Sequence, residues 1–150
     1  MQKMQIRRAR DDEGPQLVAL WGAAVDATHH FLSPADRVAI GEQVAQFLPQ
    51  APLWVAVSEQ DIPLGFMLLA DQHMEALFVD PQWHGKGVGS LLLDHAITLC
   101  PALTTDVNEQ NRAALAFYLA QGFEITGRSQ TDSAGRAYPL LHLRYRGSEE

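Results

Sequence analysis

The stretch VDPQWHGKGVGSLLLDHA, residues 79–96, sets three glycines at alternate positions between a run that reads as a strand and a run that reads as a helix. A strand entering a glycine-rich turn at the head of a helix offers several backbone N–H groups without intrahelical partners, together with the positive end of the helix dipole. Those are the elements of an anion site, and phosphate is its natural guest. Gly85, Gly87 and Gly89 remove the β-carbon where a ligand oxygen approaches and permit dihedrals that turn successive N–H groups inward. A turn that only packs helix on sheet needs one or two glycines, so three at alternate places ask for a further reason. The nucleotide-hydrolysing P-loop does not fit, because Lys86 is followed by Gly87, and Val88 and Gly89 intervene before Ser90. A dinucleotide loop would show G-x-G-x-x-G near the start of the chain, whereas the spacing here is G-x-G-x-G. Asp106, roughly 20 residues on, stands where a ribose-binding acid would sit, so that reading stays open.

The loop belongs to a chain of 150 residues, 47% of them hydrophobic, which is the size of one domain with a real core; a single domain over 1–150 is expected. Eighteen acidic against 11 basic residues give a net charge of -7, so the average surface repels nucleic acid and tolerates amines and lysine side chains. The one cysteine, Cys100, lies among apolar residues and reads as a small buried side chain, compatible with a reducing cytoplasm. The opening MQKMQIRRARDDEG has basic residues without an apolar run behind them, and nowhere do 18 apolar residues stand together. Neither export by a recognisable signal nor membrane insertion is expected, and the cytoplasm is the predicted location.

Periodicity gives the remaining elements. A weakly alternating strand over 4–10 precedes a helix over 13–28, with Leu17, Leu20, Trp21, Ala24 and Val25 at helical spacing, Asp12 as cap and Pro15 in the first turn. Ser33 and Pro34 open a second helix that ends before Pro49. LWVAVSE and PLGFMLLAD flank a hairpin turn at QDI, and HMEALFVD is the next strand. After the glycines come the helix SLLLDHAITLC, the strand ALTTDVN, the helix NRAALAFYLAQG closed by Gly122, and the strands FEITGRS and YPLLHLRY around a DSAG turn. The predicted fold class is α/β: a mixed, mostly antiparallel sheet of seven strands with four helices, in the order β-α-α-β-β-β-α-β-α-β-β.

The block LFVDPQWHGKGVGSLLLDHA, followed by VNEQNRAALAFYLAQGF, resembles the acetyl-CoA-binding core of the GCN5-related N-acetyltransferases. The strand order matches that family over essentially the whole chain, and finer matches such as VDATHHFLSP and GRAYPLL resemble a bacterial group linked to peptidyl-lysine acetylation. The resemblance implies the GNAT fold and acetyl-CoA as co-substrate; with no Cys or His cluster in the sequence, no metal site is expected. The resemblance also implies pyrophosphate on His84, Gly85, Lys86, Gly87, Val88, Gly89 and Ser90, the pantetheine arm along Leu77, Phe78 and Val79, and a cofactor contact from Asn111. His84 departs from the Arg or Gln of the family's loop. Its backbone N–H is expected to serve, and its imidazole also donates, so weaker cofactor binding is expected.

Acyl transfer from a thioester to an amine needs a neutral amine, a polarised carbonyl and a proton for the departing thiolate. Tyr118 resembles the family's general acid; read without the family it is an aromatic that packs helix on sheet, and neighbouring Phe117 is the better core candidate. His73 and Glu75 alternate along one strand and so share a face, where paired ionisable groups tend to set each other's titration. The arylalkylamine acetylases of the family carry ionisable residues at this spacing as a proton relay. Its ribosomal-protein acetylases carry an acidic base at the position of Asp106. Glu75, Asp106 and His73 thus compete as base, with Glu75 leading. His29 and Phe31, in DATHHFL, and Tyr138 before the last strand stand where this fold frames the acceptor. Adjacent His29 and His30 are poorly spaced to share a metal. The expected activity is acetyl-CoA-dependent N-acetylation by direct transfer to a protein lysine or N-terminal amine, by a monomer or weak homodimer. A small-molecule amine acetylase and a non-catalytic acyl-CoA sensor are the alternatives.

Overall fold

A computed structural model describes residues 3–147 of the chain. Its elements are β1 (Gln5–Arg8), α1 (Gly14–Thr28), α2 (Pro34–Phe47), β2 (Trp54–Val57), β3 (Pro63–Ala70), β4 (His73–Val79), α3 (Val88–Leu99), β5 (Thr104–Asn108), α4 (Arg112–Ala120), β6 (Phe123–Ser129) and β7 (Leu140–Tyr145). This is the expected α/β order. The seven strands form one sheet in the order β1-β2-β3-β4-β5-β7-β6. β4 and β5 run parallel, whereas β1–β2, β2–β3, β5–β7 and β6–β7 are antiparallel. The chain forms two compact units: one takes the residues up to Leu68 together with Ala76–Leu93, the other Leu69–Glu75 together with the chain from Asp94 onward.

In the first unit, the entry to α1 corrects the expected cap. Asp12 lies inside a short 3-10 turn, Asp11–Glu13, and the closing contact comes from Glu13, whose carboxylate accepts the Arg10 N–H at 2.8 Å. The same carboxylate takes two bonds from the Arg7 guanidinium, at 3.0 and 2.7 Å, which ties β1 to the helix start. A glutamate does better here than a shorter aspartate because it reaches back to the turn and to the strand at once. At α2 the expected cap holds: Ser33 Oγ accepts the Asp36 N–H at 3.1 Å. The β2–β3 turn closes through Ser58, whose N–H reaches the Ile62 carbonyl at 3.0 Å, with Asp61 in the left-handed region at φ 64°.

One face of β3 turns Phe66 toward a core that includes Leu17, Leu20, Trp21 and Val25 of α1. The other face carries Gly65, where a β-carbon would stand 2.9 Å from the Phe78 carbonyl, 3.0 Å from Val88 and 3.3 Å from Leu92. The missing side chain lets the start of α3 close on the strand.

In the second unit, Met74, Leu103, Thr105, Val107, Leu141 and Leu143 are buried along the strands, and Phe123, Tyr118 and Phe117 form a run of edge-on rings. Tyr118 is only 7% exposed, while Phe117 is half-buried. This reverses the expected choice of core aromatic: in α4 the tyrosine is on the inner face. Cys100 is buried, as its neighbours predicted. Asn111 caps α4 by accepting the Ala114 N–H at 3.2 Å, and Gly122 ends it at φ 104°.

Candidate active site

The glycine loop belongs to the first unit. Asp80 opens it, its carboxylate accepting the Gln82 N–H at 2.9 Å, and Pro81–Trp83 forms a single 3-10 turn. The turn has a consequence for His84. Its N–H donates to the Pro81 carbonyl at 3.3 Å, so the expected service of that N–H to a phosphate is replaced by the turn, and the exposed imidazole is what His84 has to offer. Gly85 and Gly87 adopt φ of +75° and +89°, and a β-carbon on either would meet nothing within 4 Å. Packing therefore does not demand these glycines. Backbone conformation does, because side chains rarely adopt it. Gly89 lies inside the first turn of α3, which starts at the buried Val88. The helix's first bond, from the Leu91 N–H to the Gly87 carbonyl at 2.9 Å, leaves the N–H groups of the preceding turn outside the ladder, as an anion site requires.

Also in this unit, the His29 and Phe31 rings lie 5.2 Å apart, and His29 lies 6.3 Å from the Phe78 ring. Burial, with a smaller contribution from His30, holds the His29 imidazole below its ordinary range, and its Nδ1 lies 2.7 Å from the Thr28 hydroxyl. A neutral imidazole among aromatic rings makes a wall that the aliphatic stem of an amine can pack against.

The second unit holds the acid–base candidates. Tyr118 bonds with Thr105, whose own hydroxyl donates to the Met74 carbonyl at 2.9 Å. Burial pushes the phenol well above its ordinary range, against the smaller opposite pull of the Thr105 bond, so Tyr118 keeps its proton at neutral pH. On the other face of the sheet, Asp106 stands between two imidazoles. His142 Nδ1 lies 2.6 Å from Asp106 Oδ1, and His73 Nε2 lies 3.3 Å from Oδ2. His73 Nδ1 meets the Thr104 hydroxyl at 2.7 Å, and His142 Nε2 meets the Ser129 hydroxyl at 2.7 Å. The structure thus joins two of the three expected base candidates. Glu75 is exposed, and among the described residues its carboxylate has no hydrogen-bond or ion-pair partner. Tyr138 is half-buried, its N–H bonded to the Arg136 carbonyl at 2.7 Å.

His142 and Ser129 escaped the sequence reading. Asp106 pairs directly with His142 across β5 and β7, and that register is what makes the histidine visible as its partner. The two imidazoles address different oxygens of one carboxylate instead of converging on a shared point, and among the described residues no group is arranged to hold a metal ion. No helix of the described residues is long and apolar enough to cross a membrane.

A strand, a glycine turn and a helix, followed along the chain by a further strand and a helix with a proton-holding tyrosine, is the pattern of an acyl-CoA-dependent acyltransferase. The chain belongs to the GNAT acetyltransferases: the family model for an acetyltransferase (GNAT) domain matches residues 13–139. It is an N-acetyltransferase that moves an acetyl group from acetyl-CoA to an amine. Among its relatives is the peptidyl-lysine N-acetyltransferase YjaB of Salmonella typhimurium, 56% identical over 142 residues that cover 95% of this chain and 98% of that one. YjaB of Escherichia coli is 55% identical over 145 residues, covering 97% and 99%. The solution structure of apo-form YjaB from Escherichia coli matches with a TM-score of 0.94 at 55% identity, over 97% of this chain and 99% of that one.

Proposed function

We propose that this protein, working as one catalytic domain, acetylates a protein lysine side chain or N-terminal amine by direct transfer from acetyl-CoA. The observation that carries the acceptor class is the identity of 55–56% to relatives named peptidyl-lysine N-acetyltransferases over nearly their full lengths. The net charge of -7 favours cationic, lysine-bearing segments and disfavours nucleic acid. A cytoplasmic setting and a monomeric or weakly dimeric state complete the reading.

In this reading the backbone of Gly85–Ser90, with the Lys86 ammonium and the His84 imidazole, takes the pyrophosphate, and the main chain of Leu77, Phe78 and Val79 aligns the pantetheine arm by strand-like bonds. Asn111 offers only its amide N–H groups, since its oxygen caps α4. Glu75 accepts the amine's proton, because among the described residues its carboxylate has no partner while both oxygens of Asp106 are engaged by imidazoles. His73 and Asp106 flank it on the same face. The amine nitrogen bonds to the thioester carbon, the C–S bond breaks, and Tyr118 gives its proton to the thiolate. His29, Phe31 and Tyr138 contact the acceptor.

The test is acetyl-CoA turnover against lysine-bearing peptides and a panel of free amines. Saturable turnover with peptides supports the proposal. Turnover with free polyamines or amino acids alone makes the protein a small-molecule acetylase, and binding without turnover makes it a sensor.

A further inference from the structure

We propose that Ser129 is an activated serine, open to acylation by activated acyl donors, with His142 and Asp106 as the groups that activate it. Ser129 Oγ lies 2.7 Å from His142 Nε2, and His142 Nδ1 lies 2.6 Å from Asp106 Oδ1. An ionised carboxylate only accepts, so Asp106 fixes the ring proton on Nδ1 and leaves the lone pair of Nε2 facing the serine hydroxyl. Hydroxyl, base and orienting acid stand in the order, and the ring in the tautomer, by which a serine becomes a nucleophile.

The arrangement is set by strands. Asp106 is directly opposite His142 across β5 and β7, and Gly127 is opposite His142 across β6 and β7. Ser129, two residues beyond Gly127, returns to the same face. Solvent reaches the group: the His142 and Asp106 side chains are 37% and 34% exposed, Ser129 is half-buried, and β6 is the last strand of the sheet.

The matching arm through His73 is weaker. Thr104 meets His73 at 2.7 Å, but His73 Nε2 stands 3.3 Å from Asp106, and the threonine hydroxyl is on a branched carbon. Reactivity therefore falls to Ser129. With an aryl ester, Ser129 Oγ bonds to the carbonyl carbon while its proton passes to His142 Nε2. The bond to the phenol oxygen then breaks, and that oxygen takes the proton from His142. Asp106 stays ionised throughout. These contacts supply nucleophile, base and orienter, and turnover would need oxyanion donors besides, so the inference is of stoichiometric acylation. It goes beyond amine acetylation and does not depend on which amine is the acceptor.

The experiment treats the full chain with p-nitrophenyl acetate and locates acetyl groups by fragmentation mass spectrometry. An acetyl group on Ser129 is expected, formed on the order of 100-fold more slowly in His142→Asn and in parent protein unfolded in urea. Ser129→Ala should leave amine acetylation by acetyl-CoA at the parent rate, which separates this inference from the proposed function. Absence of acetyl on Ser129 in the folded parent overturns it. So does an equal rate in His142→Asn, or in the urea-unfolded parent if that variant does not fold.

Discussion

Tyr118 and Asp106 stand on opposite faces of β5, because Tyr118 bonds to Thr105 and Asp106 is the next residue along the strand. Tyr118, the proposed proton donor, lies on the face covered by α4, and the carboxylates and imidazoles lie on the other. In the proposed reaction the thiolate leaves toward the first face and the amine loses its proton on the second, so the two proton transfers do not compete for one group.

Tyr118→Phe tests the donor. Removing only the hydroxyl keeps the ring in its stack with Phe117 and Phe123. Turnover should fall by about 100-fold to 10,000-fold, with acetyl-CoA affinity nearly unchanged. The lost bond to Thr105 should lower stability by only about 1 kcal/mol. Initial rate, calorimetric affinity and melting temperature from one preparation separate the cases, and a rate within about threefold of the parent, far below the general-acid range, would remove Tyr118 from the mechanism.

Glu75→Gln tests the acceptor of the amine's proton. The side chain is exposed and touches no charged partner among the described residues, so melting should not move. Turnover should drop by roughly 100-fold or more. If Asp106→Asn or His73→Asn drops further while Glu75→Gln stays near the parent rate, the base belongs to the bridged pair instead.

Gly87→Ala should weaken acetyl-CoA binding, and the fold supplies its control. Gly87 and Gly135 have φ of +89° and +83°, and a β-carbon on either meets nothing within 4 Å. Alanine at each therefore carries the same backbone strain, about 1–3 kcal/mol, but only the first lies in the phosphate loop. Calorimetry should show at least a tenfold loss of affinity for Gly87→Ala and none for Gly135→Ala; equal effects would mean strain alone.

Acid should destabilise the first unit through Glu13. The hydrogen bonds from Arg7 hold its carboxyl below the usual carboxylate range, against the opposing effect of burial. A carboxyl held lower when folded contributes fully above the unfolded value, about 4.3, and loses that contribution as pH falls through the folded value. Glu13→Gln should cost roughly 2 kcal/mol at neutral pH, and urea midpoints of parent and variant should converge on acidification below about pH 4.

Much of the fold was legible because each element carried its own punctuation: Ser33 and Pro34 open α2, Gly122 closes α4, and the alternation in FEITGRS gives β6 residue for residue. Asp12 misled because capping preference ranks residue types and is blind to Arg7, which arrives from another strand to hold Glu13. Ranking Phe117 above Tyr118 as the core aromatic failed because adjacent helix positions differ by about 100°, and an apolar sequence neighbourhood does not fix which one faces the sheet. Asp106 was visible as a candidate base from its resemblance to the acid of the ribosomal-protein acetylases, yet its partner was not. His142 becomes its neighbour only through the β5–β7 register, and no local signal in the sequence encodes that pairing.

The cap on α4 sets a clock as well as a boundary. The helix spans nine residues, too few to persist unaided in water, and Tyr118 sits about two turns beyond Asn111. Thr105 and the Phe123 ring hold the phenol at its own end, and the first turn beneath it is fastened by the Asn111 carbonyl on the Ala114 N–H. Amide hydrogen exchange along Arg112–Ala120 should quicken in Asn111→Ala and stay slow in Asn111→Asp, which keeps the accepting oxygen. In the proposed mechanism, the fraction of time Tyr118 spends aimed then depends in part on fraying at a residue that never meets the proton.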